Sequence, residues 1–195
     1  MYRNRHYISN SGCHGQQLHY LILINGQLHG ILSGASAVYG VKTRDQFFGL
    51  SKDKDLRHAQ LSSIICNVVY RLEDAPRNAA SQVLAAWRRQ IAADWQQLYQ
   101  VPVAGFETFV IEGSNDDTGK RCTDRDRTGA LYRADNWSML GITAGNTKVH
   151  TAANDSGGMG AAHTRKQVCR KLIFARQGKG VPLAESYQST WRDPA

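Results

Sequence analysis

The chain has 195 residues, of which 42% are hydrophobic: enough for one domain with a sizeable core, too few for two full ones. No apolar run approaches the roughly 20 residues of a membrane span. The opening Met1-Tyr-Arg-Asn-Arg-His6 lacks the apolar stretch of a secretion signal, so a cytoplasmic protein with no membrane partner is expected. Lys plus Arg number 24 against 16 Asp plus Glu, and the excess is unevenly placed. Residues 1 to 44 contain no acid, nor does Ala161 to Ala184, which carries Arg165, Lys166, Arg170, Lys171, Arg176 and Lys179. Such stripes suit a polyanion, because each neutralised phosphate releases counterions. A soluble basic protein accounts for the charge equally well.

Met1 to Gln17 is too rich in glycine and polar residues for a helix and reads as an irregular arm. Leu18 to Ile24 is strand-like, Asn25-Gly26 is the preferred pair for a type I′ hairpin, and Gln27 to Leu32 should pair back antiparallel. Ser33-Gly34-Ala35-Ser36 breaks the strand pattern, and Val38 to Leu50 holds a short helix or turn in which Arg44-Asp45 is an internal salt bridge. Leu61 to Leu72 reads as a long central strand interrupted by Asn67 and Arg71. From Asn78, the residues Leu84, Trp87, Ile91, Trp95 and Leu98 recur at helical spacing, with Asn78 or Ser81 as cap, Arg88, Arg89, Gln96 and Gln97 outward, and Pro102 as stop.

Gly105 to Ile111 is the next strand, with Glu107 on the opposite face from Phe106 and Thr108. Glu112 to Thr128 is a charged surface excursion. Gly129 to Thr143 then crowds a phenol, a guanidinium, a carboxylate, an amide and an indole into Tyr132, Arg133, Asp135, Asn136 and Trp137, on a short helix leading to a strand over Ser138 to Thr143. Ala144 to Thr164 is Gly-rich and reads as flexible, Val168 to Ala175 as a last strand. The expected fold is a mixed α/β (α+β) sheet flanked by helices, one domain over residues 1 to 175 with a polar tail over 176 to 195. Cys13, Cys66, Cys122 and Cys169 show no C-x-x-C spacing, and the Cys13, His14, His19 group lacks metal spacing, so free thiols and no metal site are expected.

The run from Leu61 to Thr143 resembles the core of the Gcn5-related N-acetyltransferase fold. That resemblance implies a mostly antiparallel sheet, a helix whose N-terminus holds a cofactor pyrophosphate, and a later Tyr that protonates a leaving thiolate. His6-Tyr7, Asn67 with Arg71, Pro76 to Ser81, Phe106 to Val110 and above all Thr128 to Trp137 are similar to motifs of the Mom family of phage DNA-modification proteins, and to those of DruA from the Druantia anti-phage system. The Mom resemblance implies transfer of an acyl- or carbamoyl-type group to adenine N6 in DNA. The DruA resemblance permits a non-catalytic DNA-binding or defence component, and an acyl or aminoacyl transferase acting on a small molecule is a third class.

On the enzymatic reading Tyr132 is the general acid, and Glu107, His6 or Asp135 accepts the amine proton. Each has a structural alternative: a core tyrosine for Tyr132, an ion pair with Arg133 or Arg71 for the carboxylates, a disordered terminus for His6. Asn136 offers a bidentate pair to adenine or a helix C-terminal cap. Trp137 stacks on a flipped base or belongs to the core. Tyr7, Arg133 and Arg71 join the substrate side, and Arg165, Lys166, Arg170 and Lys171 contact the DNA backbone or form a solvated edge. Arg77, Asn78 and Ser81, at the helix N-terminus, are the phosphate-holding positions for a cofactor. Acetyl-CoA itself is disfavoured: Glu73 to Asn78 contains no Gly and two carboxylates that repel an anion, so the donor stays unassigned.

Overall fold

The computed structural model describes residues 15–113, 127–143, 146–149, 164–167 and 169–183, with backbone alone for 146–149 and 164–167. Strand β1 (Gln17–Ile24) turns through Asn25 and Gly26, both at positive φ (52° and 78°) as a type I′ hairpin requires, into β2 (Gln27–Ser36). Helices α1 (Lys42–Phe48) and α2 (Lys54–Ser62) follow. Then come β3 (Ile64–Leu72), the long helix α3 (Ala79–Tyr99), β4 (Gly105–Ile111), the short α4 (Ala130–Ala134) and β5 (Ser138–Ile142). Strands β6 (Asn146–Val149) and β7 (Thr164–Gln167) form a separate antiparallel pair, and β8 (Lys171–Gln177) returns to the main sheet. That sheet has the order β1-β2-β3-β4-β8-β5, antiparallel except for β3 beside β4. The fold is thus the mixed α/β sheet that the pattern implied, mostly antiparallel as the acetyltransferase resemblance implied.

Several local expectations are corrected. Ser33 to Ser36 does not break the strand. Those small residues continue β2 because α3 crosses there: a Cβ on Gly34 would lie 2.4 Å from Ile91 Cδ1 and 2.8 Å from Ile65 Cγ2. The apolar run at Leu61 opens inside α2, whose start is capped by the Asp53 carboxylate accepting from the amides of Asp55 and Leu56. Asn78 sits at the mouth of α3 in the left-handed region, and neither it nor Ser81 caps the helix; the Ser81 hydroxyl donates back to the Asn78 carbonyl. Leu98 is exposed, and Tyr99 takes its place, with its ring 4.8 Å from that of Trp95 and its hydroxyl donating to the Gln17 carbonyl. Asn146–Val149 is strand, within the stretch expected to be flexible. Cys169 is disulfide-bonded, against the expectation of free thiols. The arm over residues 1–14 and the excursion over residues 114–126 lie outside the described residues.

Alternation along β4 divides the sheet into two faces. Phe106 and Thr108 lie under α3 and α4, where Leu84, Trp87, Ile91 and Trp95 join Leu32, Ile65, Tyr132, Trp137 and Phe174 in the main core. Gly105 and Glu107 face α1, with Phe48 packed over Gly105. Among the described residues no helix is long and apolar enough to cross a membrane. Gly34→Ala should cost about 1–3 kcal/mol by overpacking the α3 crossing, read as a lower urea midpoint at unchanged slope. An unaltered midpoint would mean that α3 can lift away from β2 freely.

Candidate functional site

Strands β3 and β4 pair only over Ile64–Asn67 with Gly105–Thr108, although both strands run on past that point. The register of β3 against β2 skips Val68, a bulge that bends β3 just as it leaves β4. At this parting the Tyr132 hydroxyl donates to Asn67 Oδ1 at 2.7 Å and lies 3.4 Å from Thr108 Oγ1. Asn67 is oriented by its own Nδ2, which donates to the Ser33 and Val69 carbonyls at 3.0 Å each. Thr108 is held by donating to the Asn67 carbonyl. A phenol, a carboxamide and a hydroxyl therefore meet where the sheet's one parallel pair opens.

Local chain chemistry delivers Tyr132 to that point. Gly129 begins α4 at φ 71°, and a Cβ there would fall 2.3 Å from the Phe174 ring, so both conformation and space demand glycine. The helix ends in a Schellman motif: the Trp137 amide donates to the Tyr132 carbonyl and the Asn136 amide to the Arg133 carbonyl, with Asn136 left-handed at φ 59°. Asn136 is the exposed left-handed residue just past the Asp135 C-cap, whereas Trp137 is 4% exposed and packs on Tyr132 and Phe106. Its burial removes Trp137 from any stacking platform.

Asp135 is buried and paired, though not with Arg133 or Arg71. Arg88 of α3 grips it with two nitrogens at 2.5 and 2.7 Å, the Trp137 indole donates to it at 2.8 Å, and Arg176 Nη1 lies 3.6 Å away. Arg88 was expected to face outward; instead it points at α4. Burial and the neighbouring Arg88 charge push the Arg176 guanidinium down, while Asp135 opposes the shift. A carboxylate so occupied is a clamp between α3 and α4. Arg133 reaches over the Phe174 ring at 5.2 Å. Arg71 pairs with Glu73 at the far end of β3.

Glu107 is fully buried on the other face. Arg44 Nη1 donates to its Oε2 at 2.6 Å, Arg44 Nε to Asp45 at 2.7 Å, and Asp45 also pairs with Arg57. Glu107 Oε1 has no hydrogen-bond partner among the described residues. Burial pushes the Glu107 carboxyl up to about 7, with Arg44 pulling the other way. Tyr132 and Glu107, paired as acid and base on the enzymatic reading, therefore do not share one site, because strand alternation sends Glu107 through to the α1 side.

Arg77 and Asn78 are exposed beside the α3 N-terminus, with Ser81 half-buried. Arg165 and Lys166 lie on β7, whose side chains are outside the described residues, as are His6 and Tyr7. Lys171 opens β8, and Arg170 just before it lines a cleft of about 600 Å³ with Glu112, Arg127, Arg133, Met139 and Ile142. Arg88, Arg176, Arg127 and Glu112 were missed by sequence reasoning. Only Arg88 carried a signal: Leu84, Arg88, Ile91 and Trp95 follow one another at steps of four, three and four.

What fold and site define together is a mixed α/β protein with a phenol and carboxamide at the mouth of a β-α-β unit and a basic cleft beside them. The chain belongs to the DruA family, since the family model of Druantia protein DruA matches residues 1–175. That family belongs to an anti-phage defence system. No curated protein matches the chain.

The folded state holds the Glu107 proton more tightly (about 7) than the ordinary carboxyl at 4.5. Stability should therefore fall as pH rises from 4.5 towards 7, and Glu107→Gln should flatten that fall in urea denaturation run across the window. A slope retained by the variant would assign it to other groups. Glu107→Ala should cost about 3–5 kcal/mol, because it breaks a fully buried pair and leaves the Arg44 Nη1 donor without its acceptor, with Asp45 the remaining carboxylate on that guanidinium.

Proposed function

We propose that the chain acts on DNA within the anti-phage system, in the cytoplasm where DNA is met, as a transferase that places an acyl- or carbamoyl-type group on a nucleobase, adenine N6 first among them. One observation carries this reading: the Tyr132 hydroxyl is fixed between Asn67 and Thr108 at the carboxyl-side limit of the parallel pairing, where the two strands separate. Open α/β sheets bind ligands on that side, where strands part. When an exocyclic amine attacks a carbonyl donor, the departing group needs a proton. The Tyr132 phenol supplies it by turning its hydrogen from Asn67 Oδ1 to the leaving atom. The amine's proton passes to water, because Glu107 faces α1 and Asp135 is held by Arg88.

A second reading, DNA binding without chemistry, is favoured by the burial of Tyr132, which is 8% exposed. Nucleosides from the DNA of cells expressing the chain separate the two when analysed by mass spectrometry. The transferase reading expects a deoxyadenosine product heavier by the transferred group, and its loss in Tyr132→Phe. Unmodified nucleosides alone, with soluble protein confirmed, would overturn it. The Phe variant should itself lose about 1–3 kcal/mol of stability, since Asn67 Oδ1 is left unsatisfied, so its melting curve belongs beside the product assay.

A further inference from the structure

The cleft of about 600 Å³ beyond α4 has a composition that neither stability nor the Tyr132 site calls for. Among the described residues its lining sets Arg127, Arg133 and Arg170 against one carboxylate, that of Glu112, with Met139, Ile142 and Leu172 as its apolar part. Met139 and Ile142 are each 38% exposed there. Arg170 is 52% exposed and stands 3.8 Å from Glu112, too far for a hydrogen bond, so neither group is strongly engaged by the other. Arg133 is braced over the Phe174 ring, and its Nη2 donates to a weak acceptor, the Sδ of Met139, at 3.0 Å.

We infer that this cleft seats one unpaired nucleotide of a DNA strand, its phosphates on Arg133 and Arg170 and its base face against Met139 and Ile142. Guanidinium forks match phosphate oxygens in pairs. Thioether and aliphatic groups take the flat face of a base, and that face is free only where the strand is single or the nucleotide extruded. The volume falls within the range of small-molecule sites. Glu112 is then a repulsive element that weakens every anion and leaves binding reversible. The inference rests on the reading that the chain engages DNA, and is independent of group transfer.

Fluorescence anisotropy of a labelled single-stranded oligonucleotide with the full chain, over a series of salt concentrations, tests it. Arg170→Gln should weaken binding about tenfold and reduce the salt slope by about 0.7. Glu112→Gln should tighten binding. Arg133→Lys should retain more affinity than Arg133→Gln. Three outcomes overturn the cleft. These are variants that bind as the parent does, a matching duplex that binds as well as the single strand, and inorganic phosphate that competes as well as deoxyadenosine monophosphate. The first of these leaves the transferase reading standing. Loss of binding in the variants with no modified nucleoside in cells does the reverse. No binding by the parent chain at low salt overturns both.

Discussion

The brief parallel contact between β3 and β4 is the constraint around which the rest of the molecule is arranged. A parallel neighbour needs a crossover, and α3 supplies it, lying across the sheet with Trp87, Ile91 and Trp95 beneath it. The bulge at Val68 then turns β3 away, and at the gap the Asn67 carboxamide oxygen and the Thr108 hydroxyl meet the side chain that α4 brings in. Tyr132 closes that gap with its hydroxyl and extends the core with its ring, which stacks on Phe174. One side chain thus satisfies polar atoms that the separating strands expose and joins α4 to two strands at once.

Two buried clusters of arginine and carboxylate lie on opposite faces and do different work. On the α1 side, Arg44 spans Glu107, Asp45 and the Val38 carbonyl, so a seven-residue helix with few apolar contacts is pinned to the middle of the sheet. Desolvating such a pair costs much of what it returns, and its value lies in geometry: three acceptors in different directions hold Arg44, and α1 with it, in one place. On the α3 side, Asp135 is shared by Arg88, Arg176 and the Trp137 indole. Here the carboxylate fixes the distance between the long helix and the short one that carries Tyr132.

What could be read from the chain beforehand was local. Asn25-Gly26 announced its turn, and the spacing from Leu84 to Trp95 announced α3, because both depend on neighbours close in sequence. Ser33 to Ser36 misled because small residues mark turns and tight crossings alike, and only the position of Ile91 distinguishes them. The start of β3 was blurred since the last apolar residue of α2, Leu61, adjoins Ile64 without a breaker. Strand alternation did place Glu107 opposite Thr108, but which of those faces Tyr132 would join depends on α4 packing against Phe174, more than forty residues further along the chain than Tyr132. The partner of Asp135 was sought among nearby or motif arginines for the same reason, when the matching one lay on α3.

The crowded segment from Tyr132 to Trp137 is resolved by its own geometry. Tyr132, Asp135 and Trp137 point inward to Asn67, Arg88 and the core, while Arg133 and Asn136 remain exposed. The Schellman turn enforces this sorting, since reversing the chain at a left-handed Asn136 puts the residues on either side of it onto the same inner surface. Asp135 and Trp137 fix position through Arg88 and the core, Tyr132 brings its hydroxyl to the parted strands, and Arg133 and Asn136 face solvent. A motif of six residues therefore need not be six ligands, because part of it is the mounting that holds the rest in place.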